Sequence, residues 1–211
     1  MIKVHHLNNS RSQRIVWFLE ELGVEYEIIN YTRDLETNLA PDSLMEVHPL
    51  GKSPVIEDGD IKIAESGAAT EYLAHKYGNG EFSIAPGEAD HWTYVEWLHY
   101  AEGSLMLPLL LRLYTSRLGD AAEPLAPRIQ SEIANHFTYT AQSLGDKEFF
   151  AGGKLTGADV QMIFPLEAMH AQGGLAHWPN LAAYVDRIHA RPAYLRALER
   201  GGEYSMGPKK A

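Results

Sequence analysis

His48-Pro49-Leu50-Gly51-Lys52-Ser53-Pro54-Val55-Ile56-Glu57-Asp58-Gly59-Asp60-Ile61-Lys62-Ile63-Ala64-Glu65-Ser66 carries several local instructions in succession. Pro54 opens an apolar run, and a strand's first position tolerates the N–H that proline lacks. Asp58-Gly59-Asp60 separates residues 54–57 from 61–64, a turn signal between two strand-like runs that predicts a β-hairpin. A helical pattern follows from Ser66 to Tyr77, with Ala69, Tyr72, Leu73 and Tyr77 along one face and Ser66 placed as its N-cap. The stretch therefore reads strand, strand, helix.

Upstream, residues 2–6 read as a short strand and residues 11–22 as a helix with Ile15, Leu19 and Leu22 on one side. Gly23 stands where a C-terminal cap glycine belongs, and residues 26–31 form a second strand rich in β-branched and aromatic side chains. Strand, helix, strand with short links implies a parallel pair joined by a crossover helix. Residues 32–50 are polar and punctuated by proline, with a short irregular helix around 43–47.

Downstream of Tyr77 the composition shifts. Gly78-Asn79-Gly80 and Pro86-Gly87 punctuate a linker, and beyond it only helical periodicity remains. Helices are predicted over roughly 89–116, 124–144, 157–172 and 181–190, with a short one after Pro192. The chain thus divides into an α/β domain over 1–78, a linker over 79–88 and an all-helical domain over 89–211, whose Gly-rich tail from Gly201, ending in Lys209-Lys210, is expected to be loosely ordered.

Composition narrows the function. Eighteen Lys and Arg against 28 Asp and Glu give a formal charge of −10, which argues against nucleic acid or an anionic membrane surface as partner. The chain has no cysteine, so disulfides, thiolate metal sites and a cysteine nucleophile are excluded. No apolar run reaches the ~20 residues of a membrane span, and Met1-Ile2-Lys3-Val4 lacks the layout of a signal peptide, so a cytoplasmic protein is expected. Ten histidines invite a metal, but none forms His-Glu-x-x-His or a close i, i+4 pair. His5 and His6 alternate across a strand and read as packing or surface residues.

Three places can carry chemistry. A cis bond before Pro54 would turn the Ser53 main-chain N–H and C=O outward, ready to pair with the main chain of a peptide ligand. By frequency alone the bond is expected to be trans, because only ~5–6% of X-Pro bonds in folded proteins are cis. Glu65-Ser66 sits at a helix start, where Ser66 caps the helix or helps an anion bind there, and Glu65 accepts from a ligand ammonium. Asn8-Asn9-Ser10-Arg11-Ser12 lies between the end of a strand and the start of a helix. Open α/β sheets place ligands at such ends, and a hydroxyl plus a helix dipole there stabilises an anion.

The strand and helix order, with proline opening the third strand, is the thioredoxin layout. With the helical half it resembles the cytosolic glutathione transferase superfamily over the whole chain, most specifically in His48-Pro49-Leu50-Gly51-Lys52-Ser53-Pro54-Val55, Asp58-Gly59 and Glu65-Ser66. Leu155-Thr156-Gly157-Ala158-Asp159-Val160 resembles the family's buried capping box. The resemblance implies that glutathione is the co-substrate and that Ser53, before a cis-proline, pairs with its cysteinyl main chain. Glu65 and Ser66 would hold the γ-glutamyl end and Lys52 the glycine carboxylate. Ser10, at the serine-type spacing from Arg14, would activate the thiol, with Asn9 assisting or replacing it and Ser12 a further hydroxyl nearby. No metal is implied. A homodimer is, with the stretch 94–102 supplying aromatic surface and Glu102 reaching the partner's site. Tyr100, Leu107, Leu110 and Tyr114 would line the pocket for a small hydrophobic electrophile or pack the core or dimer.

Because the chain has no thiol of its own, a thioredoxin-like protein of this composition must borrow one. A free thiol ionises near ~8.5, so lowering its pKa by about two units takes ~2.7 kcal/mol of preferential thiolate stabilisation. The reading is a transferase that conjugates glutathione to electrophiles in detoxification. A glutathione peroxidase, disulfide reductase or dehalogenase on the same scaffold, or a binding protein that has lost catalysis, are the alternatives.

Overall fold

The computed structural model describes residues 1–208. β1 (Ile2–Leu7), α1 (Ser12–Leu22) and β2 (Tyr26–Tyr31) form the parallel crossover, with Ile2 opposite Tyr26 and Leu7 opposite Tyr31. α1 begins its buried face at once, with Ile15, Val16, Phe18 and Leu19 wholly enclosed, and ends at Gly23 in the left-handed conformation (φ 65°) that glycine adopts without steric cost. α2 (Ser43–Val47) precedes the hairpin of β3 (Val55–Asp58) and β4 (Ile61–Ala64), and α3 (Ser66–Tyr77) follows. β3 pairs antiparallel with both β1 and β4, giving a four-stranded sheet in the order β2-β1-β3-β4. This is the thioredoxin-like arrangement.

The described residues pack as two compact units, one of Met1–Ser83 with residues 186–208, the other of Ile84–Val185. Four helices follow one another in the second unit: α4 (His91–Tyr100), α5 (Met106–Thr115), α6 (Ala126–Leu144) and α7 (Gly157–His170). α8 (Pro179–His189) leads to α9 (Pro192–Gly201), which returns to the first unit and lies along α1. Trp17 meets Tyr194 edge-on, Arg191 grips Glu21 with two bonds of 2.6 and 2.9 Å, and Arg196 and Arg200 both bind Glu20. The tail beyond α9, expected to be loosely ordered, is tied down within the described residues, since the Ser205 N–H donates to Asn9 Oδ1. Lys209 and Lys210 lie outside the described residues.

The helix expected over 89–116 is not continuous. Ala101–Leu105 forms a π turn between α4 and α5, and the Met106 N–H reaches back to the Ala101 carbonyl. Pro108 supplies the reason: it has no N–H to give the Ser104 carbonyl, so the α-helical ladder is broken within one turn of it. The aromatic residues of 94–102 are spent inside the unit. Tyr94, Trp97 and Leu98 are buried, and Trp97 stacks on Tyr139 while meeting Tyr100 and Phe150; of the neighbouring aromatics Trp92 is the one most open to solvent. At α7 the capping box is present as expected, with Thr156 and Asp159 bonded reciprocally and Leu155 and Val160 both buried. Among the described residues no helix is long and apolar enough to cross a membrane.

Candidate active site

The first unit gathers six of the seven residues singled out from the sequence. Ser53 stands before a cis Pro54, against the expectation from frequency and in line with the resemblance. Its hydroxyl donates to the His5 carbonyl at 2.8 Å and accepts the Leu7 N–H at 3.2 Å, so side chain and strand end are locked together. Its main-chain N–H and C=O make no hydrogen bond to another described residue. A ligand's main chain therefore finds an unused donor and acceptor at the end of β1. Lys52, next to it, is exposed, with no ion pair among the described residues.

Ser66 is buried at the head of α3, but it is not the cap. The helix begins at Ser66 itself, and Glu65 occupies the cap position with φ 71° and ψ 122°, a conformation that an L side chain adopts only under strain of order 1–3 kcal/mol. Arg14, on α1 and itself buried, donates from Nη2 to Ser66 Oγ at 2.7 Å. A buried cation and the positive end of α3 thus meet at one hydroxyl, which is where a carboxylate gains most. Exposed Glu65 stands beside it as an acceptor for an ammonium.

The corner between β1 and α1 carries a chain of hydrogen bonds whose polarity can be worked out. The Gly201 carbonyl can only accept, so His6 Nε2 donates to it at 3.0 Å and His6 Nδ1 is left as an acceptor. Ser12 Oγ lies 2.8 Å from Nδ1 and donates there, its carbonyl alternative, Leu7 O, being more distant at 3.3 Å. With its proton used, Ser12 accepts from Ser10 Oγ at 2.8 Å, and Ser10 in turn accepts the Ser12 N–H at 3.2 Å. Burial drives His6 down to about 4, overriding the opposing effect of its bond to Gly201, so the imidazole is neutral near pH 7 and the polarity holds. Ser10's proton therefore points inward.

Asn9 differs. It sits in the left-handed region at φ 52°, its carbonyl accepts Arg33 Nη2 at 3.4 Å, and its Oδ1 accepts the Ser205 N–H at 2.6 Å. An N–H facing the amide fixes Oδ1 there, since the flipped amide would set donor against donor. The two donors of Nδ2 then bind no described residue. Ser12 is wholly buried and is removed as a direct partner for a ligand. Glu102, the seventh residue, lies half-exposed on the π turn of the second unit.

Sequence reasoning missed Ser205 and the working roles of His6 and Arg14. His6 did read as a residue facing one side of a strand, but nothing local announces that the carbonyl at the end of α9 meets it. No group of three or more His, Asp or Glu is gathered for a metal among the described residues.

A thioredoxin-like sheet with an open main-chain position beside a cis-proline and a cationic helix start, followed by a helical unit, defines the class. Comparison with known proteins agrees. Residues 1–75 match the glutathione S-transferase N-terminal domain and residues 104–192 its C-terminal domain. Glutathione S-transferase 3 of Schizosaccharomyces pombe is 36% identical, over 95% of this chain and 88% of its own. A crystal structure of a glutathione S-transferase from Actinobacillus pleuropneumoniae superposes with a TM-score of 0.87 at 37% identity, covering 95% of this chain and 93% of the other. A transferase homologue from Lodderomyces elongisporus, crystallised with two glutathione molecules per subunit, shares the fold at 21% identity and TM-score 0.77, over 94% and 97% of the two chains. The chain belongs to the glutathione S-transferase family.

Proposed function

We propose that this chain binds glutathione in its first unit and transfers the thiolate to a small hydrophobic electrophile. The carrying observation is the convergence just described: the Ser53 hydroxyl, beside its open main chain, and the Ser12 hydroxyl, which accepts from Ser10, both bond Leu7, while Arg14 brings positive charge to Ser66. In this reading Ser53 pairs with the cysteinyl main chain. Ser66, backed by Arg14, takes the γ-glutamyl carboxylate, Glu65 takes its ammonium and Lys52 the glycine carboxylate. The thiolate lies at the Asn9–Ser10 corner beside the head of α1. Of the two, Asn9 Nδ2 is the better-supported donor, because Ser10's proton already has an internal acceptor.

The helical unit supports an apolar second substrate. Leu107, Leu111 and Tyr114 recur on one face of α5 and are exposed. Glu102 reaching the partner's site in a homodimer, and a cytoplasmic location, belong to the same reading. The test is a turnover screen of the wild-type protein with glutathione against aryl halides, hydroperoxides and mixed disulfides. Conjugation of an aryl halide is the expected result. Reduction of hydroperoxides or mixed disulfides with no conjugation would replace the transferase with a peroxidase or reductase on the same site.

A further inference from the structure

The two residues of the thiol corner are held by the same distant segment. Gly201, the last residue of α9, accepts from His6 and so sets the direction of the whole His6–Ser12–Ser10 chain. Four residues later, the Ser205 N–H holds Asn9 Oδ1 across 196 positions of sequence. The segment between them is fixed at both ends. Gly201 is buried, and a Cβ there would come within 2.7 Å of Gln13 Oε1 and 3.4 Å of His6 Nε2, so a side chain at this position requires Gln13 to shift. Past Ser205, the Gly207 N–H turns back to the Tyr204 carbonyl at 3.3 Å. On the other side of the corner Arg33 holds the carbonyls of Asn8 (3.1 Å) and Asn9 (3.4 Å). Asn9 is thus braced by a guanidinium on its main chain and by the C-terminal segment on its side chain.

We propose that the segment from Gly201 to Ser205 sets the donor polarity of the thiol corner: it turns the Ser10 proton inward and holds the Asn9 amide so that Nδ2–H₂ is the group offered to the thiolate. Ser205, acting through its main chain, is a positioning residue for Asn9. The proposal rests on the glutathione reading above and deepens it. Before a ligand arrives, an amide free to flip presents oxygen as well as nitrogen to the site and must reorient to receive a thiolate, which the oxygen repels. Holding Oδ1 elsewhere removes that state before the ligand arrives, which is preorganisation rather than a new contact.

The test uses the full chain with Ser205→Pro, which deletes the N–H, and Ser205→Ala, which keeps it; a chain ended after Glu203 serves as a second way of removing the contact. The pKa of bound glutathione, followed by thiolate absorbance against pH, is expected to rise by about one unit in Ser205→Pro and in the shortened chain, a roughly tenfold loss of thiolate at a pH below it. Ser205→Ala should keep the wild-type value. S-methylglutathione, which has no thiol to ionise, should bind all four proteins within about threefold. An unchanged thiol pKa in Ser205→Pro and in the shortened chain overturns the proposal, as does a loss of S-methylglutathione binding as large as the loss of thiolate, which would mark the segment as general scaffolding. Wild-type protein that binds neither glutathione nor S-methylglutathione contradicts the transferase reading itself, an outcome distinct from both.

Discussion

Ser10 stands at the serine-type spacing and Asn9 only precedes it, yet their hydrogen bonds favour Asn9. Asn9→Ala should raise the pKa of bound glutathione by about one unit, while Ser10→Ala, whose hydroxyl serves Ser12, should move it by less. The reverse order would return the donor role to Ser10. His6 makes a prediction of its own. Its pKa falls from 6.5 to about 4 on burial, so between those values the unfolded chain binds the proton first. The stability it contributes is complete above pH 6.5 and is lost as pH falls toward 4, on the order of 3 kcal/mol in all. Proton resonances of the His6 ring should show no titration above about pH 5, and a midpoint near 6.5 would mean a solvated ring. None of this polarity was legible in the sequence. The residue types at the corner were, because a strand end facing a helix start is a local pattern, but the partners that orient them come from the far end of the chain.

Elements behave as their local signals require, except where a partner or a missing donor intervenes. The hairpin, both crossover strands and α3 fall where Asp58-Gly59, the strand-like runs and the helical spacing after Ser66 put them. The interrupted helix at Ala101–Leu105 was also legible in principle, since Pro108 was in plain view in an otherwise periodic stretch. At the head of α3, Ser66→Ala should weaken glutathione about tenfold, ~1.4 kcal/mol for one charge-assisted bond, measured by calorimetry; an unaltered dissociation constant would place the γ-glutamyl carboxylate elsewhere. At the head of α7, four donors converge on Asp159: the Phe150 N–H and Tyr184 hydroxyl on Oδ1, the Thr156 N–H and hydroxyl on Oδ2. Burial raises this carboxyl to about 6 against those bonds, so its contribution runs opposite to that of His6, with stability falling as pH rises from 3.8 to about 6. Asp159→Asn turns one acceptor oxygen into a donor facing two donors and should cost roughly 2–4 kcal/mol in urea denaturation. A cost below about 0.5 kcal/mol would mean that the box has little weight in the fold.

At the scale of the whole molecule, order along the chain and packing diverge. Sequence reading places everything after residue 89 in one helical domain, yet α9 packs on α1 and carries the C-terminal segment to the thiol corner. Composition shifts mark where the chain changes character; they carry no record of a helix that doubles back, because Glu20 and Glu21 of α1 find their arginine partners on or just before α9. The proposed homodimer needs a different motive from the aromatic stretch 94–102, which is largely buried within its own unit; exposed Trp92, which no other role claims, now carries that expectation. Light scattering at micromolar concentration should report twice the 23.5 kDa of one chain, and a mass of 23.5 kDa would contradict the dimer while leaving the glutathione site untouched. Whether this chain binds glutathione and ionises its thiol is read out by a pH titration of thiolate absorbance in the wild-type complex. Saturable glutathione binding is expected, with a bound thiol pKa about two units below the ~8.5 of a free thiol; no binding at millimolar glutathione, or a bound pKa still near that of the free thiol, is the opposite outcome.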